Sequence, residues 1–195
     1  MKREYNPYRD PNTGQFVSSG NNTIESKYKN INPHYKKDVG YLDAGGYNNN
    51  CVKCAIAFEA NMRGDDVEAN AFEFGSPEDI NKSKSITKAF NQDDPWVVGR
   101  PKKESTIREI ELMMTEDFGE GSRAIIQEGG GGRRHTMNVI NDGGNVIVID
   151  AQNGTHGSLN KMLKGIDTKG MILIRTDTQD ISPDYQDWAY KRRKH

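Results

Sequence analysis

"HTMNVINDGGNVIVID", residues 135–150, sets the architecture of this chain. Two runs rich in β-branched residues, 135–141 and 144–150, flank an Asp-Gly pair. Asp-Gly between such runs signals a hairpin, because a type I′ turn needs positive φ at both central residues. With Asp142-Gly143 as the turn, Asn141 lies opposite Gly144 and, counting outward, His135 lies opposite Asp150. Directly opposite side chains share a face with Cβ atoms about 5 Å apart, near enough for a carboxylate to accept an imidazole N–H. With Gly143-Gly144 as the turn, His135 faces Gln152 and Asp150 becomes a diagonal neighbour on the same face. Either register leaves an acceptor beside His135.

Met137, Val139, Val146 and Val148 continue that face, while Ile140, Ile147 and Ile149 make the opposite one apolar too. The hairpin is therefore expected to be buried on both sides, with the polar pair at its open end. The pair reads equally as an oriented base and as a structural contact at a strand end. In the first reading the carboxylate selects the tautomer and stabilises the imidazolium.

Working outward, "SRAIIQE" (122–128) predicts a strand that "GGGG" (129–132) breaks, and "MILIRT" (171–176) predicts a last strand. Upstream, "ESTIREIELMMTED" (104–117) predicts a helix with Ile107, Ile110, Leu112, Met113 and Met114 turned inward, the methionines as core filling. "WVVGRP" (96–101) ends in Gly and Pro, which halt regular structure. Residues 75–92 read as loop and a weak helix, and "DVEANAF" (66–72) as a short extended piece. From Cys51 to Met62, the positions of Val52, Ala55, Ile56 and Phe58 suit a short amphipathic helix closed by Gly64, with Asn50 as its N-cap. The pattern is α+β, helices early and an antiparallel sheet late. Residues 1–38 read as a polar extension or linker, 39–178 as the folded domain, and 179–195 as a polar, basic tail ending "KRRKH".

Only 33% of the 195 residues are hydrophobic, so the core is small for the length. The formal net charge of −1 offers no bulk polycation for nucleic acid. No apolar run reaches the roughly 18 residues a membrane span requires, and "MKREYNPYRD" has no apolar signal region. A soluble protein, in contact with neither membrane nor nucleic acid, is the expectation.

The chain has two cysteines, Cys51 and Cys54, in "NNNCVKCAIAF" (48–58). A structural zinc site needs four ligands, and His34, His135, His156 and His195 supply no matching pair; no metal or other cofactor is expected. A thioredoxin-like redox pair follows a strand, whereas here a Gly/Asn-rich loop precedes the helix. A thiol on the first turn of a helix feels the positive end of the dipole and nearby unpaired N–H groups, which favour thiolate and could hold an oxyanion. Cys51 has that place and Cys54 lies a turn further in. Taken alone, Cys51 still reads as an ordinary buried thiol.

The blocks "NNCVKCAIAFEANMRGDDVEA" and "GSRAIIQEGGGGRRHTMNVINDGGNVIVIDAQNG", in this order, resemble the papain-fold toxin domains that are glutamine deamidases. The resemblance spans roughly residues 41–174. It implies a papain-like fold in which a helix bearing the nucleophile packs on an antiparallel sheet bearing His and Asp. It implies Cys51 as nucleophile, His135 as general base and acid, and Asp150 as orienting carboxylate, with Asn50 and Gln152 positioning substrate or oxyanion. The implied substrate is a protein glutamine, with an immunity or carrier protein as a further partner. Thr136 follows the histidine where relatives carry a small residue, a departure that bears on substrate choice. "RDPNTGQFVSSG" (9–20) resembles linkers of phage minor head proteins, which suggests a phage or prophage setting; a cytoplasmic or virion-associated protein, or one delivered into a target cell, is the expectation. Cysteine protease or isopeptidase and transglutaminase-like acyl transfer use the same groups. A phage structural or interaction protein with a degenerate papain-like fold is the non-enzymatic alternative.

Overall fold

A computed structural model describes residues 24–40, 45–77, 82–129 and 134–193. Most of the Gly129–Gly132 loop lies outside these residues, as does the resemblance in residues 9–20.

The hairpin strands are neighbours in a six-stranded antiparallel sheet: β4 (Thr136–Asp142) and β5 (Asn145–Asp150). Asn138 lies opposite Ile149 and Asp142 opposite Asn145, so the turn is Gly143-Gly144. The Asp142-Gly143 register is thereby corrected. Both glycines take positive φ, +59° and +90°, which Asp142 would adopt only with Cβ strain. The Asn141 carboxamide accepts the Gly144 N–H at 2.8 Å and fixes the choice.

The remaining strands are β1 (Val67–Ala69), β2 (Trp96–Val97), β3 (Arg123–Gln127), β6 (Thr155–Ser158), β7 (Ile172–Arg175) and β8 (Tyr190–Arg192). The large sheet runs β2-β7-β3-β4-β5-β6, and β1 pairs with β8 in a two-stranded ribbon. The helices are α1 (Ile24–Tyr28), α2 (Cys51–Met62), α3 (Lys82–Ala89), α4 (Lys103–Leu112), α5 (Leu159–Met162) and α6 (Pro183–Ala189).

The hairpin is apolar on both sides because a separate core covers each. Ile125, Ile140, Ile149 and Ile174 pack towards α2, along with Ile31, Ile86 and Phe90. Ala124, Ile126, Val139, Val148 and Leu173 pack on the other side with Ile107, Ile110, Met113 and Met114. The two methionines begin a π-helical turn, Met113–Asp117, that continues α4, and Leu112 just before it faces solvent rather than the core.

Four further expectations are corrected. Helix α2 is not amphipathic, since all twelve of its residues are buried. Its polar side chains are paired instead: Lys53 donates to the Ala71 carbonyl at 2.7 Å with its ammonium over the Trp188 ring, and Asn61 exchanges bonds with both backbone groups of Val67. Residues 179–193 are not a tail. Ile181, Ala189 and Tyr190 enter the α2 core, and Tyr190 to Arg192 pair with Ala69 to Val67. The folded part also begins before residue 39, because Tyr28 and Ile31 are buried in the same core. "WVVG", read only as a stop, supplies the edge strand β2.

Candidate active site

Cys51 is the first residue of α2, where the backbone N–H groups of the opening turn have no partner within the helix. Asn50 occupies the N-cap position but makes no capping bond with its side chain. That carboxamide is buried and used elsewhere. It donates to the Asn70 carbonyl at 2.9 Å and accepts from Asn32 at 3.1 Å, from Gln152 at 3.3 Å and from the Cys54 thiol at 3.3 Å. Asn32 in turn donates to the Tyr47 and Gln152 carbonyls. A polar cluster thus ties the start of α2 to the turn after β5 and to the segment before α2, and every link has a donor and an acceptor.

His135 stands one residue ahead of β4, and Asp150 closes β5. The diagonal placement of the Gly-Gly register lets His135 Nε2 reach Asp150 Oδ2 at 2.6 Å. Asp150 is buried and also accepts from the Gln152 N–H at 3.1 Å and the Asn153 carboxamide at 2.8 Å, so its carboxylate is held from three directions. With Nε2 committed to Asp150, Nδ1 is the nitrogen left for the hydrogen bond between His135 and Cys51. The Cys51 thiol also reaches the Arg134 carbonyl at 3.8 Å.

Burial works against charging the imidazole. Hydrogen bonds to Asp150 and Cys51, together with their negative charge, outweigh it and push the His135 pKa from 6.5 up to about 10. The second cysteine behaves otherwise: enclosure in the core, and then the charge of Cys51, push the Cys54 thiol well above its ordinary range.

A cleft of about 320 Å³ opens over Cys51, His135 and Gln152. Tyr35, Lys37 and Val39 line it from the segment before α2, and Asn48 and Asn49 from the approach to Cys51. Asn50 is not among the lining residues, whereas Gln152 is. Among the described residues no group of three or more His, Cys, Asp or Glu is placed to hold a metal ion, and no helix is long and apolar enough to cross a membrane.

Sequence patterns do not point to the groups that position these side chains. Glu128 holds the His135 backbone from both sides: its N–H donates to the His135 carbonyl at 3.1 Å and its carboxylate accepts the His135 N–H at 2.9 Å. Gly129, next along, passes so close to the Gly170 backbone that a Cβ there would collide with it. Asn48 secures the cleft wall, donating to the Lys36 and Val39 carbonyls and accepting the Lys36 N–H. In the sequence these are a charged residue before a loop and one Asn among three.

No curated protein and no solved structure matches the chain at a significant level. The family described as papain fold toxin 1, glutamine deamidase, matches residues 49–155, a stretch that holds Cys51, His135 and Asp150 and covers more than half of the chain. The α2-on-sheet arrangement agrees with that family's papain fold, and the chain is a member of the papain fold toxin 1, glutamine deamidase family.

Proposed function

We propose that this protein deamidates a glutamine side chain of a target protein through Cys51, His135 and Asp150. The observation that carries the reading is His135 held between Asp150 and Cys51 beneath an open cleft, with Cys51 at the start of a buried helix. A raised imidazole pKa beside a thiol favours a thiolate–imidazolium pair near neutral pH, the charge state a cysteine nucleophile requires.

The thiolate attacks the carboxamide carbon, and the oxyanion is met by the N–H groups of the first turn of α2 and by the Gln152 carboxamide. Collapse of the tetrahedral intermediate breaks the C–N bond as His135 Nδ1 gives its proton to the departing nitrogen, releasing ammonia and leaving a thioester. The neutral imidazole then takes a proton from water, hydroxide adds to the thioester, and thiolate leaves with Glu in place of Gln. Asp150 keeps the ring oriented through both half-reactions. Asn50, turned away from the cleft, acts by holding Gln152.

Mass spectrometry of proteins from cells exposed to wild type or Cys51→Ala tests the reading. A gain of about one dalton at defined glutamines, absent with Cys51→Ala, is expected of amide-to-acid conversion. Cleaved backbones, or Gln–Lys crosslinks in place of the mass gain, would overturn it in favour of proteolysis or acyl transfer.

A further inference from the structure

We infer that the cleft selects a glutamine lying on an acidic surface, through a basic wall built by Lys37, ahead of the family-matched stretch, and Arg134, within it; the inference rests on the cleft being where the target side chain enters. Two of the residues lining it are cationic, Lys37 and Arg134, and among its described lining residues none is acidic. A basic chain would make this trivial, but acidic residues outnumber basic ones here, 28 to 27, so the local excess is a property of the cleft.

Asp38 follows Lys37 on the same exposed loop, and Lys36 on the other side of Lys37 keeps that loop net basic. Asp150 is buried against His135, and Glu128 spends its carboxylate on the His135 N–H. Lys37 is exposed, and its loop is pinned by the three Asn48 bonds, so the ammonium is carried on a fixed backbone. Tyr35 on the same loop gives the wall an aromatic surface, and the contact of His34 with the Tyr47 ring at 4.6 Å anchors the base of the loop. Charges at the rim of a site act chiefly on encounter rate and on rejection of like-charged partners. A glutamine flanked by Asp or Glu would therefore be favoured, and one flanked by Lys or Arg refused.

Fluorescein-labelled peptides that share a central Gln but carry Asp/Glu, Ser/Ala or Lys flanks separate this inference from the deamidase reading. Binding to the intact Cys51→Ala chain is followed by anisotropy, and turnover by wild type through ammonia release. The acidic peptide is expected to bind at least about fivefold better than the basic one at low salt, with the ratio shrinking as salt is added and reversing in Lys37→Glu. Equal binding of all three peptides, or a ratio insensitive to Lys37→Glu, would overturn the inference. An acidic preference in binding with no ammonia from any peptide would support it, and would count against deamidation alone.

Discussion

Arg123 Nε donates to Glu59 Oε2 at 3.0 Å with both side chains almost wholly shut off from solvent, and this pair fastens α2 to β3. It gives the arginine that opens β3 a physical role. Breaking one side of a buried pair strands a charge, at a cost of about 3–5 kcal/mol, whereas replacing both sides with apolar groups can be near neutral. Arg123→Met should therefore lower unfolding stability in urea by about that amount. The double variant Glu59→Leu/Arg123→Met should be the more stable of the two. The reverse order would mean that the pair does not act as a unit.

The His135 imidazole is expected to remain protonated through neutral pH and to titrate towards about 10, which ring-proton NMR reads directly. Cys51→Ala removes a hydrogen bond and a charge that raise the pKa and should bring the titration down; Asp150→Asn should do the same. Because the raised pKa belongs to the folded state, the stability it lends is complete below about 6.5 and is lost as pH rises towards about 10. The Tm advantage of wild type over His135→Gln should accordingly be larger at pH 6 than at pH 10.

Iodoacetamide should distinguish the two thiols. Cys51 opens onto the cleft and pairs with His135, while Cys54 is enclosed with its pKa raised, so alkylation at neutral pH should fall on Cys51 by at least about tenfold. Peptide mapping after brief exposure gives the ratio. In His135→Asn the Cys51 rate should fall and follow the titration of an ordinary thiol.

Truncation after residue 178 removes α6 and β8, stripping Ile181, Ala189 and Tyr190 from the α2 core and leaving β1 unpaired. Three buried apolar side chains and a ribbon edge represent several kcal/mol, enough to unfold a domain of ordinary stability. The truncated chain should lose its cooperative thermal transition, and a surviving transition near the wild-type Tm would show that these elements are dispensable.

The readable parts of the sequence were those where a local rule decides. Asp-Gly-Gly between β-branched runs had to be a hairpin, and Cys51–Met62 had to be a helix. The turn was harder to place, because both registers satisfy the hydrophobic alternation and only the positive φ of Gly144 and the Asn141 bond separate them. The full burial of α2 was hidden by Lys53, Glu59 and Asn61, whose partners lie far along the chain or in another element. The C-terminal elements carry too few apolar residues to show a period, yet Ala189 and Tyr190 reach the core through tertiary contact alone. His135 and Asp150 stood out because the hairpin joins them; Asn32, Lys37 and Glu128 did not, because nothing local brings them to Cys51.

Enclosure of α2 on every side has a consequence for how such a protein can change. A sulfur mounted on a helix that cannot slide or tilt stays at one point in space, so a new target has to be shaped to meet it. Variation among descendants should then gather in residues 32–39 and in the approach to β4, the two margins around that point, while the helix itself tolerates almost none.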